Sequence, residues 1–188
     1  MIESNLKKRI FTSIALLVLT ALFFFSKFFL IYTLIVLGSL SIIEFHNLIK
    51  KISKKPLINF FSNIFFIIYI FLFSFFIFYF SSILQLKILL FIILLTCISS
   101  DIGGFVVGKI FKGPKLTKIS PKKTKSGSFG SLVFSLLFFS LSVFYLTNTI
   151  NVKIILVGLL TSIVCQMGDL FFSLLKRKSN VKDTGNFF

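Results

Sequence analysis

The sequence has few charged residues, and acidic residues are the scarcest of them. Only 14% of the 188 residues are charged and only 5 are Asp or Glu, whereas 56% are hydrophobic and 29 are Phe. Soluble domains carry about 25% charged residues. A soluble globular fold is therefore excluded, and so is intrinsic disorder, which requires low hydrophobicity. The composition is that of an integral membrane protein.

Cysteine and histidine are also scarce, with 2 Cys and 1 His in the chain. Cys97 and Cys165 lie in apolar runs, so they form neither a disulfide framework nor a metal-binding spacing. We expect both to be small core residues. No GxSxG, HExxH or CxxC motif occurs, which leaves hydrolase and zinc-site interpretations without support.

Apolar segments follow one another along most of the chain. A spanning helix needs about 20 apolar residues, and six candidates occupy 10–25, 28–43, 57–80, 88–108, 129–146 and 154–175. The first two are short and separated only by Ser26 and Lys27, which predicts a tight helical hairpin. The runs are continuous rather than alternating, which argues against strands. We predict an all-α, polytopic transmembrane helical bundle of about six helices in one membrane domain, 1–188.

Basic residues are distributed very unevenly between the two sides of this predicted bundle. With the N-terminus inside, 18 of the 21 Lys and Arg residues fall on one side, and only Lys27, Lys87 and Lys153 fall on the other. The positive-inside rule predicts this asymmetry. The net charge of +16 therefore reports topology, and no nucleic-acid partner is needed to explain it. We expect a bacterial cytoplasmic (inner) membrane protein, with its N-terminus facing the cytoplasm and membrane lipids around it.

Two of the five acidic residues lie inside predicted spans. Asp101 is eight residues before Lys109, and Asp169 is seven residues before Lys176. At about 1.5 Å rise per residue, both carboxylates lie about 10–12 Å below the same basic boundary. Each costs about 2.5–3.5 kcal/mol on insertion scales. We expect a polar pocket open to the cytoplasm, with a buried Asp–Lys pair joining two helices as the alternative.

The residues around these carboxylates are typical of phosphate chemistry. The run 120–127 contains hydroxyls, cations and a glycine before a predicted helix, whose N-terminus favours anions. Asp169, Ser173, Lys176 and Arg177 recur on one helical face. Carboxylates hold Mg²⁺ and cations neutralise phosphate oxygens. The spacing of a Walker A loop is absent.

Three segments in order resemble the phosphatidate cytidylyltransferase (CDP-diacylglycerol synthase) family. Ser173-Leu174-Leu175-Lys176-Arg177 followed by Lys182-Asp183-Thr184-Gly185 is similar to the first half of the family's C-terminal signature. The run 119–124 matches its Ile-Ser-Pro-Lys-Lys-Thr loop, and 100–105 is similar to its Asp-x-Gly-Ala-Tyr segment. The resemblance covers about 96–188, a partial catalytic region that follows the N-terminal helices of 10–95.

The resemblance implies a nucleotidyltransferase of phospholipid biosynthesis that converts CTP and phosphatidate to CDP-diacylglycerol and pyrophosphate. Its cofactor would be Mg²⁺, held by Asp169 and Asp183, and a homodimer is left open. The implied catalytic residues are Asp101, Asp169, Lys176, Arg177, Lys182 and Asp183. The implied substrate-binding residues are Ser120, Lys122, Lys123, Thr124 and Ser173.

Two departures from the family pattern keep alternatives open. Lys125-Ser126 stands where the family has Trp-Glu, and the sequence reaches Phe188 before the signature's His-Gly-Gly and Asp-Arg-x-Asp half. The expectation is therefore either a C-terminally truncated fragment of a working enzyme or an inactive truncated paralogue. Other readings are another CTP-dependent lipid-linked transferase or kinase, such as a polyprenol kinase, and a non-catalytic membrane scaffold or transporter.

Overall fold

Five long helices dominate the computed structural model, which describes residues 22, 25–117, 119–120 and 123–181. They are α1 (Lys27–Ile52), α2 (Pro56–Ser82), α3 (Leu84–Phe111), α4 (Lys125–Thr147) and α5 (Val152–Lys178). Each is long and apolar enough to cross a membrane. The described part of the chain contains no strand, only an isolated bridge between Lys115 and Thr124. This confirms the predicted helical membrane bundle, while the predicted first helix, 10–25, lies almost wholly outside the described residues.

The helices extend further than their apolar runs. Hydropathy placed the third and fourth of the described helices at 88–108 and 129–146, whereas α3 ends at Phe111 and α4 begins at Lys125. Thr124 caps α4 by accepting a hydrogen bond from the Gly127 backbone N–H at 3.1 Å, which lets the helix begin among polar residues. The connection between α3 and α4 is therefore the short stretch 112–124.

Hydroxyl groups, rather than large apolar side chains, occupy the most enclosed positions between the helices. The fully buried side chains in the described part are Thr96, Ser100, Ser135 and Ser162, whereas many Phe, Leu and Ile side chains face outward. Lipid tails solvate apolar side chains, so small residues mark the helix contacts of a membrane bundle. An apolar cluster of Phe45, Leu48, Ile49, Phe66 and Leu175 joins α1, α2 and α5 at their basic ends.

The closest helix contact joins α3 to α4. A Cβ added to Gly130 would lie 2.5 Å from Val107 Cβ and 2.7 Å from the Gly103 carbonyl oxygen. A Cβ on Gly103 would lie 2.8 Å from the Gly130 carbonyl oxygen. The two helices thus approach backbone to backbone, as small residues permit in membranes. The sequence division at 95/96 falls inside α3, so the two regions predicted from the sequence share one helix.

Candidate functional site

A cavity of about 410 Å³ opens between α3, α4, α5 and the connection 112–124. We call it the carboxylate cavity, because Asp101 enters its lining from α3 and Asp169 from α5. Phe105 and Leu116 supply apolar parts of the wall, and charged and polar side chains from several elements supply others: Lys109, Lys123, Thr124, Ser128, Ser131 and Gln166. Gly104, Gly108 and Gly127 contribute bare backbone to it. The structure therefore brings both intramembrane carboxylates to one polar space.

The two carboxylates share this wall because α3 and α5 are in contact directly beneath them. Cys97 lies four residues before Asp101, and Cys165 lies four residues before Asp169. Residues four apart share one face of a helix. The two Sγ atoms lie 2.9 Å apart, and both cysteines are free thiols. The helix faces that carry the cysteines therefore meet, and one turn further on they present Asp101 and Asp169 to each other.

Lys123 enters the cavity as the partner of Asp169. Its Nζ lies 2.8 Å from Asp169 Oδ2, with the Lys and Asp side chains 33% and 56% exposed. An ion pair this accessible contributes about 0–1 kcal/mol to stability. The alternative predicted above, a buried Asp–Lys pair joining two helices, is therefore wrong: Lys123 belongs to the connection 112–124 rather than to a helix, and both side chains of the pair are partly exposed.

The connection 112–124 folds back on itself and delivers Lys123 and Thr124 to the cavity. The Leu116 N–H donates to the Lys123 carbonyl at 2.8 Å, and the Lys125 N–H donates to the Pro114 carbonyl at 2.9 Å. Arg177 Nε donates to the Ile119 carbonyl at 3.3 Å, which ties the connection to the end of α5. Thr124 stands at the N-terminus of α4, where the backbone N–H groups and the helix dipole favour an anion.

The sequence-predicted site residues fall into three groups. Asp101, Asp169, Lys123 and Thr124 line the carboxylate cavity. Among the described residues, Ser120, Ser173, Lys176 and Arg177 lie outside its lining, with Arg177 occupied as a brace for the connection. Lys122, Lys182 and Asp183 lie outside the described residues, so their roles stay predictions.

Sequence reasoning missed the polar residues beneath the carboxylates. Ser128, Ser131 and Gln166 line the cavity, and Gln166 holds Ser128 and Ser162 through its side-chain amide. The available signal was helical spacing, since Ser162, Gln166 and Asp169 recur at i, i+4 and i+7 on α5. The free energy of placing a single Ser or Gln inside a membrane helix is much smaller than that of placing a carboxylate there. A lone Ser or Gln in an apolar run therefore does not by itself indicate a site.

The donor set of the cavity suits a hard divalent cation. Asp101 and Asp169 provide carboxylates, and Thr124 and Ser131 provide hydroxyl groups. No group of three or more His, Cys, Asp and Glu side chains occurs in the described part. Mg²⁺ commonly takes only one or two protein carboxylates and completes its shell with water and substrate phosphates. The ammonium at 2.8 Å from Asp169 shows that this carboxylate already accepts a cation from the cavity side.

Comparison with known proteins adds independent findings. The sequence model of the cytidylyltransferase family matches residues 2–188. The chain is similar to the phosphatidate cytidylyltransferase of Synechocystis sp., with 40% identity over 100 residues, which are 52% of this chain and 34% of the relative. The phosphatidate cytidylyltransferase of Rickettsia felis is 40% identical over 107 residues, 50% of this chain and 46% of the relative. The protein of that name from Aquifex aeolicus is 38% identical over 91 residues, 47% of this chain and 33% of the relative.

These matches span a third to a half of the length of the curated relatives. No solved structure matches the chain significantly.

Proposed function

The chain belongs to the cytidylyltransferase family, and from this membership and the carboxylate cavity we propose that the protein converts CTP and phosphatidate to CDP-diacylglycerol and pyrophosphate. The observation that carries the proposal is the meeting of two intramembrane carboxylates, a lysine and a helix N-terminus in one cavity. An oxygen of the lipid phosphate attacks the α-phosphorus of CTP. The bond from that phosphorus to the β-phosphate oxygen breaks, and pyrophosphate leaves.

This reaction asks little proton chemistry of the protein. A phosphate monoester has a second pKa near 6 and is mostly dianionic at neutral pH, so the attacking oxygen needs no strong general base. The obstacle is repulsion between that dianion and the triphosphate. The positive groups of the cavity, which are Lys123, Lys109 and the α4 N-terminus, would offset this repulsion. Positioning and charge stabilisation of this kind dominate the catalysis of phosphoryl-type transfers.

Mg²⁺ is the cofactor that we propose for this site. Asp169 would hold it together with Asp101, and Asp183 is the further ligand predicted from the sequence. When bound, the ion would neutralise phosphate oxygens and orient the triphosphate. Lys123 now pairs with Asp169 and would turn to a substrate phosphate as the carboxylate takes the ion. We also keep the prediction from the sequence that Lys176, Arg177, Lys182 and the hydroxyl of Ser173 contribute to phosphate binding.

The experiment that tests the proposed reaction follows one labelled phosphate. The purified protein in lipid nanodiscs receives phosphatidate and CTP labelled at the α- or the γ-phosphate. Cytidylyl transfer moves only the α-label into lipid, whereas a CTP-dependent lipid kinase moves only the γ-label, with a polyprenol as its acceptor. Lipid that gains neither label, together with no Mg²⁺-dependent CTP binding, would identify a scaffold and overturn the proposal.

Replacement of Lys123 by Met is expected to raise the KM for CTP about tenfold, with a smaller change in kcat. The substitution keeps the length of the side chain but removes one charged phosphate partner, and tenfold corresponds to about 1.4 kcal/mol. Steady-state kinetics in nanodiscs measures both constants. Lys153→Met is the matched control, because Lys153 is an exposed residue in the first turn of α5, at the opposite end of the bundle. An unchanged KM in Lys123→Met would remove Lys123 from the substrate site.

We further propose that the protein lies in the inner membrane of a bacterium and that its carboxylate cavity opens to the cytoplasm. The support is the asymmetry of Lys and Arg between the two ends of the bundle. With Cys97 and Cys165 replaced by Ser, a cysteine at exposed Lys115 should react with an impermeant maleimide in inside-out vesicles only. A cysteine at exposed Lys153 should react in intact spheroplasts only. The reverse pattern would contradict the orientation, and a homodimer stays a separate prediction.

A further inference from the structure

A chain of hydrogen bonds begins in the wall of the carboxylate cavity, continues into the buried interior and joins three helices. Ser128 of α4 donates its hydroxyl to Gln166 Oε1 of α5, and Gln166 Nε2 donates back to the Ser128 carbonyl at 3.3 Å. Gln166 Nε2 also donates to Ser162 Oγ at 3.1 Å. Ser162 Oγ lies 2.9 Å from Ser100 Oγ of α3. We call Ser128, Gln166, Ser162 and Ser100 the polar network.

The polar network lies close in sequence to groups of the cavity on each of the three helices. Ser100 immediately precedes Asp101, and Gln166 lies one helical turn before Asp169. The backbone N–H of Ser128 donates to the carbonyl of Thr124 at 3.0 Å, in the turn that opens α4. The network therefore connects α3, α4 and α5. It meets α3 and α5 next to the two carboxylates, and it meets α4 next to the Lys123–Thr124 turn.

The environment of the network makes its geometry exacting. Ser100 and Ser162 are 1% and 0% exposed, so no bulk water can replace a lost partner. In surroundings of low dielectric constant, hydrogen bonds strengthen and an unpaired polar group becomes costly. Gln166 uses both amide N–H groups and its oxygen on protein partners, which leaves its side chain one well-defined position.

We propose that Gln166, Ser162 and Ser100 are positioning residues that set the separation of Asp101 and Asp169 and hold the Lys123–Thr124 turn above them. The inference rests on the proposed function in that the carboxylates are taken as Mg²⁺ ligands. None of the three residues needs to touch the reacting atoms. They act by fixing the ligands, as outer-shell partners do at metal sites, where their loss commonly costs about 10–100-fold in metal affinity.

A second buried serine offers a matched control. Ser135 is also fully buried and also links α4 to α5, donating to the Gly158 carbonyl at 2.7 Å. It lies two helical turns from Ser128 and does not line the cavity. Ser162→Ala removes a hydroxyl that bonds from α5 to α3, and Ser135→Ala removes one that bonds from α4 to α5. Each variant therefore deletes one fully buried hydroxyl that joins two helices. A role in packing alone predicts the same consequences for both.

The test measures Mn²⁺ binding, as a spectroscopic substitute for Mg²⁺, by the electron paramagnetic resonance of the free ion. Ser162→Ala should weaken Mn²⁺ binding about tenfold and lower kcat, whereas Ser135→Ala should lower Tm to the same extent and leave Mn²⁺ affinity unchanged. Gln166→Met, which keeps the shape of the side chain, is the second variant if Ser162→Ala does not fold. Equal Mn²⁺ affinities in network and control variants would overturn the proposal.

A metal-independent measurement separates this proposal from the proposed function. Diamide oxidises two adjacent thiols to a disulfide and takes up their two protons and two electrons. Cys97 and Cys165, with Sγ atoms 2.9 Å apart, report the register of α3 and α5 directly below the carboxylates. If the wild-type protein binds no Mn²⁺, the proposed metal role fails. Slower cross-linking in Ser162→Ala than in Ser135→Ala would still support positioning, and equal rates would overturn it.

Discussion

Replacing Asp169 by Asn is expected to abolish Mg²⁺-dependent cytidylyl transfer, with a fall in kcat of at least about a hundredfold. Asn keeps the shape of the side chain but removes the charge that would hold the divalent ion, and losses of this size are typical when one preorganised charge-stabilising group is removed. The assay is the transfer of α-labelled phosphate from CTP to lipid. Retained activity would remove Asp169 from the site.

The stability of this variant distinguishes a catalytic role from a structural one. Asp169 is 56% exposed and its only described ion pair is with the partly exposed Lys123, so its loss should cost no more than about 1 kcal/mol. We expect Asp169→Asn to keep the wild-type Tm while losing activity. Glu44→Gln, an exposed acidic residue of α1 outside the cavity, is expected to change neither quantity.

Replacing Gly130 by Ala is expected to lower the free energy of unfolding by about 1–3 kcal/mol, the usual range for overpacking a tight contact. The added Cβ would meet Val107 Cβ at 2.5 Å and the Gly103 carbonyl at 2.7 Å. Part of this obstruction is backbone, so a side-chain rotation cannot relieve it. Separation of α3 from α4 would also move Gly104 and Gly108 away from Gly127 in the wall of the cavity. We therefore expect substrate binding to weaken.

Gly168→Ala provides the matched control for this prediction, with denaturant unfolding in detergent as the measurement. A Cβ on Gly168 would meet nothing within 4 Å, although the residue also lies inside a spanning helix. Alanine favours a helix interior over glycine by about 1 kcal/mol, so this variant should match or exceed the wild-type stability. Equal losses in both variants would show that the α3–α4 contact is not the cause.

The polar network illustrates which parts of the site were difficult to predict. Asp101 and Asp169 attracted notice because a carboxylate inside an apolar span is costly wherever it lies. Ser100, Ser162 and Gln166 carry no comparable cost in isolation, and their importance arises only from the partners that α3, α4 and α5 bring to them. Hydropathy also failed to predict where α4 begins, for a related reason. The helix begins with the capping Thr124 and the exposed Lys125, which are polar and so do not belong to an apolar run.

The sequence by itself determined that this protein is a helical membrane bundle with one strongly basic end, and it singled out two carboxylates at a shared depth. Those features depend only on composition and on the spacing of residues along the chain. The cost of placing polar groups in lipid and the rise of a helix are enough to derive them. Only the tertiary structure decided that Lys123, rather than Lys176 or Arg177, is the cation that meets Asp169. It also decided that Arg177 braces the connection and that Gln166 links the helices under the cavity. Such pairings join residues 38–62 positions apart, and packing alone selects them.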